Sequence, residues 1–505
     1  MCIYLHPGMP LLRRAIPLME AESRSMMARS FITVFLSYRL MAIVLGQRSK
    51  ENGVSESCLN CWRGKTHVQG VDMKTYSKGC CGVLAIGMLA AGTQAHAASA
   101  FDPNGDYMFG DWGGARSNLA DQGVTFNLKY ISESAYNLDG GYRHDHTARY
   151  ADQWTAGVNF DLDKLAGIPD AQFQITLTDR NGDNLTNDRL VNPNDGAISS
   201  VQEVYGRGNV VRLTQFWFKQ KLDDGRFSYK LGRIPVGDDF AVYNSEFQNL
   251  YLGSGEPGNQ NGGIWYNWPV SQWAAVGRWN PTDQYYAQLG VFNLNPQNTD
   301  PDRHLDIYHD DGTTGTLIPA EIGWTPKLGS EGLPGAYRLG GYYSTADATD
   351  YSADPADEST NDERYGLYYV IDQQVTARDG NINRGLSVFS LGGWNDDDSS
   401  YIQRYISGGL TYKGPFDARP QDEIGWGLAY AKVNDDYNDY QRAVARAGNT
   451  PLPSQGEEYD TELYYSIHLA NWFKLRPNLQ YVVHPGGNSD TDNAWVAGAS
   501  VLATF

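Results

Sequence analysis

The stretch NAWVAGASVLATF, residues 493–505, sets Trp495, Ala497, Ala499, Val501, Ala503 and Phe505 at every second position. Successive side chains of an extended strand point to opposite faces, so these residues form one continuous apolar face. Such a face ending on an aromatic, downstream of a secretory signal, is expected of a strand in an all-β barrel inserted in a bacterial outer membrane.

Working outward from that strand, the same period recurs. Val124, Phe126, Leu128 and Tyr130 alternate with Thr125, Asn127 and Lys129, and Trp154, Ala156, Val158, Phe160 and Leu162 alternate with Thr155, Gly157, Asn159 and Asp161. Ala171, Phe173, Ile175 and Leu177 face away from Gln172, Gln174, Thr176 and Thr178. Further strands are predicted near 210–221, 226–234, 271–279, 284–293, 319–326, 336–345, 364–374, 386–394, 402–412, 423–433, 460–469, 475–483 and 494–505, giving 16 antiparallel strands. Gaps after strands 1, 3, 5, 7 and 13 are long (131–153, 180–209, 235–270, 294–318 and 434–459), and those after strands 2, 4, 6 and 14 are short, as in DDG at 223–225 and NPTD at 280–283. Long extracellular loops alternating with short periplasmic turns are the pattern of a transmembrane barrel. The 13 Trp and 33 Tyr supply amphipathic rings for interfacial girdles, among them Trp265, Trp268, Trp273 and Trp279; a soluble β protein uses the same residues for sheet propensity.

Mean hydropathy is −0.49, and beyond residue 97 no apolar run approaches the roughly 18 residues of a spanning helix. Barrel strands escape that test because only alternate residues meet lipid. All five cysteines lie within the first 81 residues, and Cys58 and Cys61 form a lone CxxC without a second ligand pair.

From Met73 the chain runs through Lys74 and Lys78 to the apolar GVLAIGMLAAG at 82–92 and then Ala95-His96-Ala97, so residues 73–97 read as a secretory signal peptide. Residues 1–72 are then expected to reflect a start placed too early. The exported chain is expected to begin at Ser99 or a near neighbour, which N-terminal sequencing reads. Residues 1–97 hold 11 of the 40 basic and 5 of the 59 acidic residues; the remaining 408 carry 29 against 54, a formal charge of −25. That sign argues against a nucleic-acid partner. Residues 98–123 are expected to form a short periplasmic segment with a helix from about Gly114 to Gly123, and 124–505 a barrel with an inward-folding loop at 235–270.

Gly110-Asp111-Trp112-Gly113-Gly114 with Arg116, Leu119 and Gly123-Val124, TLTDRNGDNL at 176–185, LGRIPVGDDFA at 231–241, FQNL at 247–250 and LQYVVHPGG at 479–487 follow one another in this order. Together they resemble the carbohydrate-selective porins, the OprB family. The resemblance covers essentially all of 106–505; the 72-residue leader is no part of it. It implies a 16-stranded outer-membrane channel that admits glucose and related monosaccharides by passive diffusion, its pore narrowed by Arg and acidic side chains.

A pore that passes a neutral hexose must exchange hydration for hydrogen bonds while binding weakly enough to release it. Extending the polar face of strand 3 reaches Arg180, which either projects five donors into the lumen or pairs with Asp179 or Asp183 at a loop base. Asp238, Asp239, Phe240, Glu246, Phe247 and Asn249 of the long loop are the candidate constriction, the alternative being a solvated surface loop. Lys129 and Lys230 lie on the polar faces of strands 1 and 5 and either balance those acids or are simply solvated. Acid-rich stretches at 300–311, 347–362, 395–398 and 435–439 would make a negative mouth, solvated or in metal-bridged contact with lipopolysaccharide.

No cofactor or metal is called for. Asp179, Asn181 and Asp183 have calcium-loop spacing, but Leu190 stands where a bidentate Glu belongs; Gly253, Gly255 and Gly258 spell GxGxxG outside any strand-to-helix context. The nine histidines form no motif with a nucleophile, and neither GxSxG nor HExxH occurs, so a channel is expected and not an outer-membrane hydrolase. A general or anion-preferring diffusion porin is the rival within the class. Single barrel and homotrimer are both open.

Overall fold

A computed structural model describes residues 99–505 except 244, 255–256, 258–262, 309–310 and 451–454. The leader and signal readings lie outside the described residues. Sixteen long antiparallel strands form the wall: β1 (Val124–Asp139), β2 (Ala148–Asp161), β3 (Ala171–Gly182), β4 (Val211–Leu222), β5 (Phe227–Ile234), β6 (Gln272–Trp279), β7 (Tyr285–Leu294) and β8 (Gly315–Trp324). They continue with β9 (Leu333–Ser344), β10 (Arg364–Gln374), β11 (Gly385–Asn395), β12 (Ile402–Lys413), β13 (Glu423–Val433), β14 (Glu457–Ala470), β15 (Phe473–Val483) and β16 (Ala494–Thr504). Each pairs with its neighbours in sequence, and β1 also pairs with β16, with Tyr130 opposite Ala503 and Lys129 opposite Thr504, so the sheet closes with no free edge.

Closure sends one face of every strand outward. Leu289, Ile322, Leu339 and Leu367 lie on that face and are exposed, as lipid-facing residues must be when lipid is absent. Rings gather at the strand ends: Phe227 stacks on Trp279, and Tyr285 on Trp324, which stacks on Tyr337, near the short turns; Tyr481 meets Trp495 near the long loops. Trp265 and Trp268 do not join these girdles, because both belong to a loop inside the barrel, where Trp265 is fully buried against Tyr342 and Tyr368.

The first outer loop is short, 140–147, not the long 131–153 read from the alternation. Beyond Tyr130 the alternation is interrupted: Ile131 and Ala135 point inward while Ser132 and Ser134 take outward positions, and the apolar outer face resumes only at Tyr136 and Leu138 before β1 ends at Asp139.

The segment before β1 carries a helix, α1 (Ala115–Asp121), after which Gly123 turns at φ 96. A Cβ at Gly123 would lie 3.0 Å from the main-chain oxygen of Asp161 and 3.1 Å from the Lys164 side chain, so a larger residue could not bring the helix to the foot of β1 and β2. Arg116 of this helix lies beneath the rings of Tyr107 and Trp112 and donates to the main-chain oxygen of Phe505.

Two apolar cores fill much of the interior. The larger joins the loop 235–271 to the inner faces of β6–β14, and the smaller joins the loop 183–210 to β1, β15 and β16. Inward tyrosines lie flat over glycines on the adjacent strand: a Cβ at Gly323 would fall 2.0 Å from the Tyr286 ring, and one at Gly340 2.2 Å from Tyr368. The wall is thereby smooth enough to receive the loop.

Candidate permeation constriction

The loop after β5 crosses the lumen and is pinned at both ends of its crossing. Near its start, Glu321 of β8 accepts from the Ala241 main chain at 2.8 Å and from Tyr286 and Tyr368 at 2.7 and 2.9 Å. Across the barrel, Glu462 of β14 accepts from the main-chain N–H groups of Gln248 at 2.9 Å and Asn249 at 2.7 Å. A second loop braces the first from above: Glu203 donates its main-chain N–H to Gln248 at 3.0 Å, and Leu250 donates to Ser200 at 2.8 Å. The loop 183–210 is itself held by Glu133 of β1, which accepts from Val204, and by Gln202, which donates to the Glu133 main chain. Buried main-chain donors thus meet fixed carboxylates, the condition for a loop to stay ordered inside a barrel.

The nine residues singled out in the sequence separate into three groups. Arg180 lies on the inward face of β3 beside Thr178 and Thr176; its Nε donates to Gln153 at 2.8 Å, and no ion pair with Asp179 or Asp183 forms. Asp238 accepts from Gln215 at 2.6 Å, Asp239 pairs with Lys230 at 2.8 Å, and Lys230 also lies 4.7 Å from the Trp217 ring centre. Glu246 pairs with Lys474 at 2.6 Å and Arg476 at 2.9 Å on β15. These charged groups meet their partners on the inner side of the wall. Phe240 and Phe247 are instead buried in the core between loop and wall, Phe240 against Phe292 and Phe247 against Phe389 and Tyr464. Asn249, fully buried, caps a short turn of helix by accepting from Tyr251 and donates to Asp460, so it anchors the loop instead of lining the passage. Lys129 is exposed, shares the inward face with Thr155 near the foot of β1, and makes no bond among the described residues.

Three residues that sequence reasoning did not assign to this site, Gln153, Trp268 and Glu203, gather around Arg180. Trp268 donates its indole N–H to the same Gln153 oxygen that holds Arg180, at 2.9 Å. Glu203 faces Arg180 electrostatically, and burial pushes its carboxyl up from the usual range while Arg180 and Arg476 oppose that. Gln153 therefore orients a guanidinium and an indole together, with an acid facing them. Gln153 falls at the end of the loop 131–153 read from the alternation, although extending the inward period of β2 from Thr155 by two positions reaches it; nothing local marked Trp268 or Glu203, which reach the site through loop folding.

Burial pushes Asp238 up to about 6, with Lys230 opposing and Asp239 reinforcing. Its value in the folded chain lies above the ordinary 3.8, so its contribution to loop docking is full below 3.8 and lost as pH rises through about 6. For Glu246 burial works upward, yet Lys474 and Arg476 win and hold it below the ordinary range; its contribution is present above 4.5 and is lost as pH falls through the lowered value. Reversal-potential measurements should show cation preference rising with a midpoint near pH 6. Asp238→Asn should flatten that step; a step of equal size in the variant assigns it to another group.

A closed barrel with a lipid-facing exterior and a charged, loop-narrowed lumen is an outer-membrane diffusion channel of the porin class. This chain belongs to the carbohydrate-selective porins, the OprB family, whose family model matches residues 145–505. It is 46% identical over 439 residues to Porin B of Pseudomonas aeruginosa, covering 84% of this chain and 96% of that one. The high-pH structure of Pseudomonas putida OprB superposes with a TM-score of 0.78 at 44% identity, covering 81% of this chain and all of that one. The low-pH structure of the same protein gives a TM-score of 0.53 at 36% identity, over 80% and 99% of the two chains. The sixteen-strand fold, the outer-membrane location and the porin class expected from the sequence all hold.

Proposed function

We propose that the channel passes monosaccharides such as glucose into the periplasm by passive, selective diffusion. The observation that carries this reading is the Arg180–Gln153–Trp268 constellation with Glu203 facing it. Arg180 spends one nitrogen on Gln153, and its terminal nitrogens make no bond among the described residues. They are free to donate to hydroxyls, Glu203 to accept, and the half-buried indole offers a face to ring C–H groups. Contacts of this kind are individually weak and exchange readily with water, as conduction requires.

Arg207 and Arg212 lie close enough to Arg180 to act on it, which favours an anion-preferring channel as the second reading. Swelling of liposomes containing the protein separates the two. Glucose should enter faster than a disaccharide or an amino acid after correction for size; equal corrected rates remove the sugar-selective reading. Metal-bridged contact of the acidic outer loops with lipopolysaccharide, and assembly as a homotrimer, belong with this proposal and are read by cross-linking in native membranes.

A further inference from the structure

We propose a second monosaccharide site, on the periplasmic side of the inward loop, built on the inner faces of β10–β14; it rests on the reading of the protein as a sugar channel. A cavity of about 200 Å³ lies there, lined among others by Tyr243 and Glu246 of the loop and by Asp372, Ser387, Thr411 and Glu423 of the wall. All four wall residues fall near the strand ends that meet the short turns. Strand register sets them side by side: Ser387 is opposite Thr411, Asp372 opposite Phe389, and Glu423 opposite Lys413.

Three features define the ligand. First, the Asp372 carboxylate and the Ser387 and Thr411 hydroxyls make no hydrogen bond among the described residues, so one acceptor and two donor–acceptors converge on the space unspent. Second, the carboxylates are offset: Glu246 by Lys474 and Arg476, Glu423 by Lys413 across the strand pair, and Asp372 by Arg338. A balanced wall rich in acceptors suits a neutral polyhydroxyl compound better than a cation. Third, the ring of Tyr243 is only half-buried and rests at 5.2 Å from Phe389, leaving an aromatic surface beside the free polar groups. Sugars present that same pairing of hydroxyl edge and C–H face. The volume lies below the roughly 300–1,000 Å³ of drug-sized pockets, so the space suits a single pyranose ring better than a disaccharide.

Glu246 belongs to this cavity, and its partner Arg476 is also within electrostatic range of Glu203 at the constriction. A sugar leaving the upper site therefore meets a second set of partners before it reaches open water. Two weak sites in series allow transfer without a deep trap.

Single-channel recording on the full chain tests this, with glucose added on the periplasmic side. Wild-type protein should show two dwell-time components of current block. Asp372→Asn combined with Thr411→Val should abolish one of them and raise the half-blocking glucose concentration from that side at least tenfold. Ionic conductance close to wild type shows that the variant is folded; if it is not, Ser387→Ala provides the same comparison. A disaccharide should fail to produce the second component. Two components that persist in the variants, or a second component equally evoked by calcium without sugar, overturn this site and leave the sugar-channel reading standing. Absence of any glucose block in the wild type overturns both.

Discussion

Replacing Glu462 by alanine is expected to free the tip of the inward loop, giving larger and flickering single-channel currents and faster passage of disaccharides than through the wild type. Glu462 is fully buried and is the acceptor for two main-chain N–H groups, those of Gln248 and Asn249. Hydrogen bonds to a charged group contribute roughly 1.5–3 kcal/mol each, so ~3–6 kcal/mol of docking is at stake. Burial of Phe247 and Leu252 in the adjacent core contributes a similar amount, at about 1.5–3 kcal/mol per side chain. Neither term dominates. The start of the loop, held at Glu321 by the Ala241 main chain, stays in place while the tip exchanges between docked and undocked states. With about 1.4 kcal/mol per tenfold, the docked fraction falls by two orders of magnitude or more relative to the undocked one. Glu462→Gln keeps one carbonyl acceptor and should give an intermediate effect. Currents indistinguishable from wild type in the alanine variant would mean that the apolar core alone holds the loop.

The barrel was legible because its rule is local. Side-chain period two exposes a lipid face strand by strand, and every one of the sixteen strands could be placed from it, including β16 with its run from Trp495 to Phe505. The rule fails where the inner face is apolar too. In β1, Ala135 turns inward into a core with Leu185, Leu190 and Val201 of the loop 183–210 while Ser132 and Ser134 take outward positions, so the alternation is interrupted though the strand continues. The stretch 435–439 read as a solvated acidic loop begins a helix, Asp435–Gly448, capped by Asn434, where acids suit the helix N-terminus.

The constriction was only half legible for a related reason. Arg180 follows from the inward period of β3, a property of its own strand. Phe240, Phe247 and Asn249 lie on the crossing loop, but whether a loop residue meets water or a second wall depends on partners such as Asp460, 211 positions away from Asn249. Hydrophobic character was the available clue: two phenylalanines, the first followed by Ala241, Val242 and Tyr243, suit a core better than a wet passage. Trp268 offered the opposite ambiguity, since an indole serves equally in a girdle and in a lumen.

Arg180→Ala is expected to weaken glucose block of ionic current at least tenfold and to shift ion preference toward cations. The alanine removes donors that make no bond among the described residues, and a charged donor to a hydroxyl contributes about 1.5–3 kcal/mol, roughly a ten- to hundred-fold change in affinity. It also removes the cation that faces Glu203 and Glu133, leaving two acids with less compensation at the candidate site. Trp268 keeps its bond to Gln153, so the indole remains in place and any residual block reports ring stacking alone. Arg180→Lys separates the two effects, because lysine restores the charge but not the planar fork. Ion preference should return to wild type while sugar block stays weak. Should lysine restore both, the site acts through charge only; should alanine change neither, Arg180 stands outside the route the sugar takes.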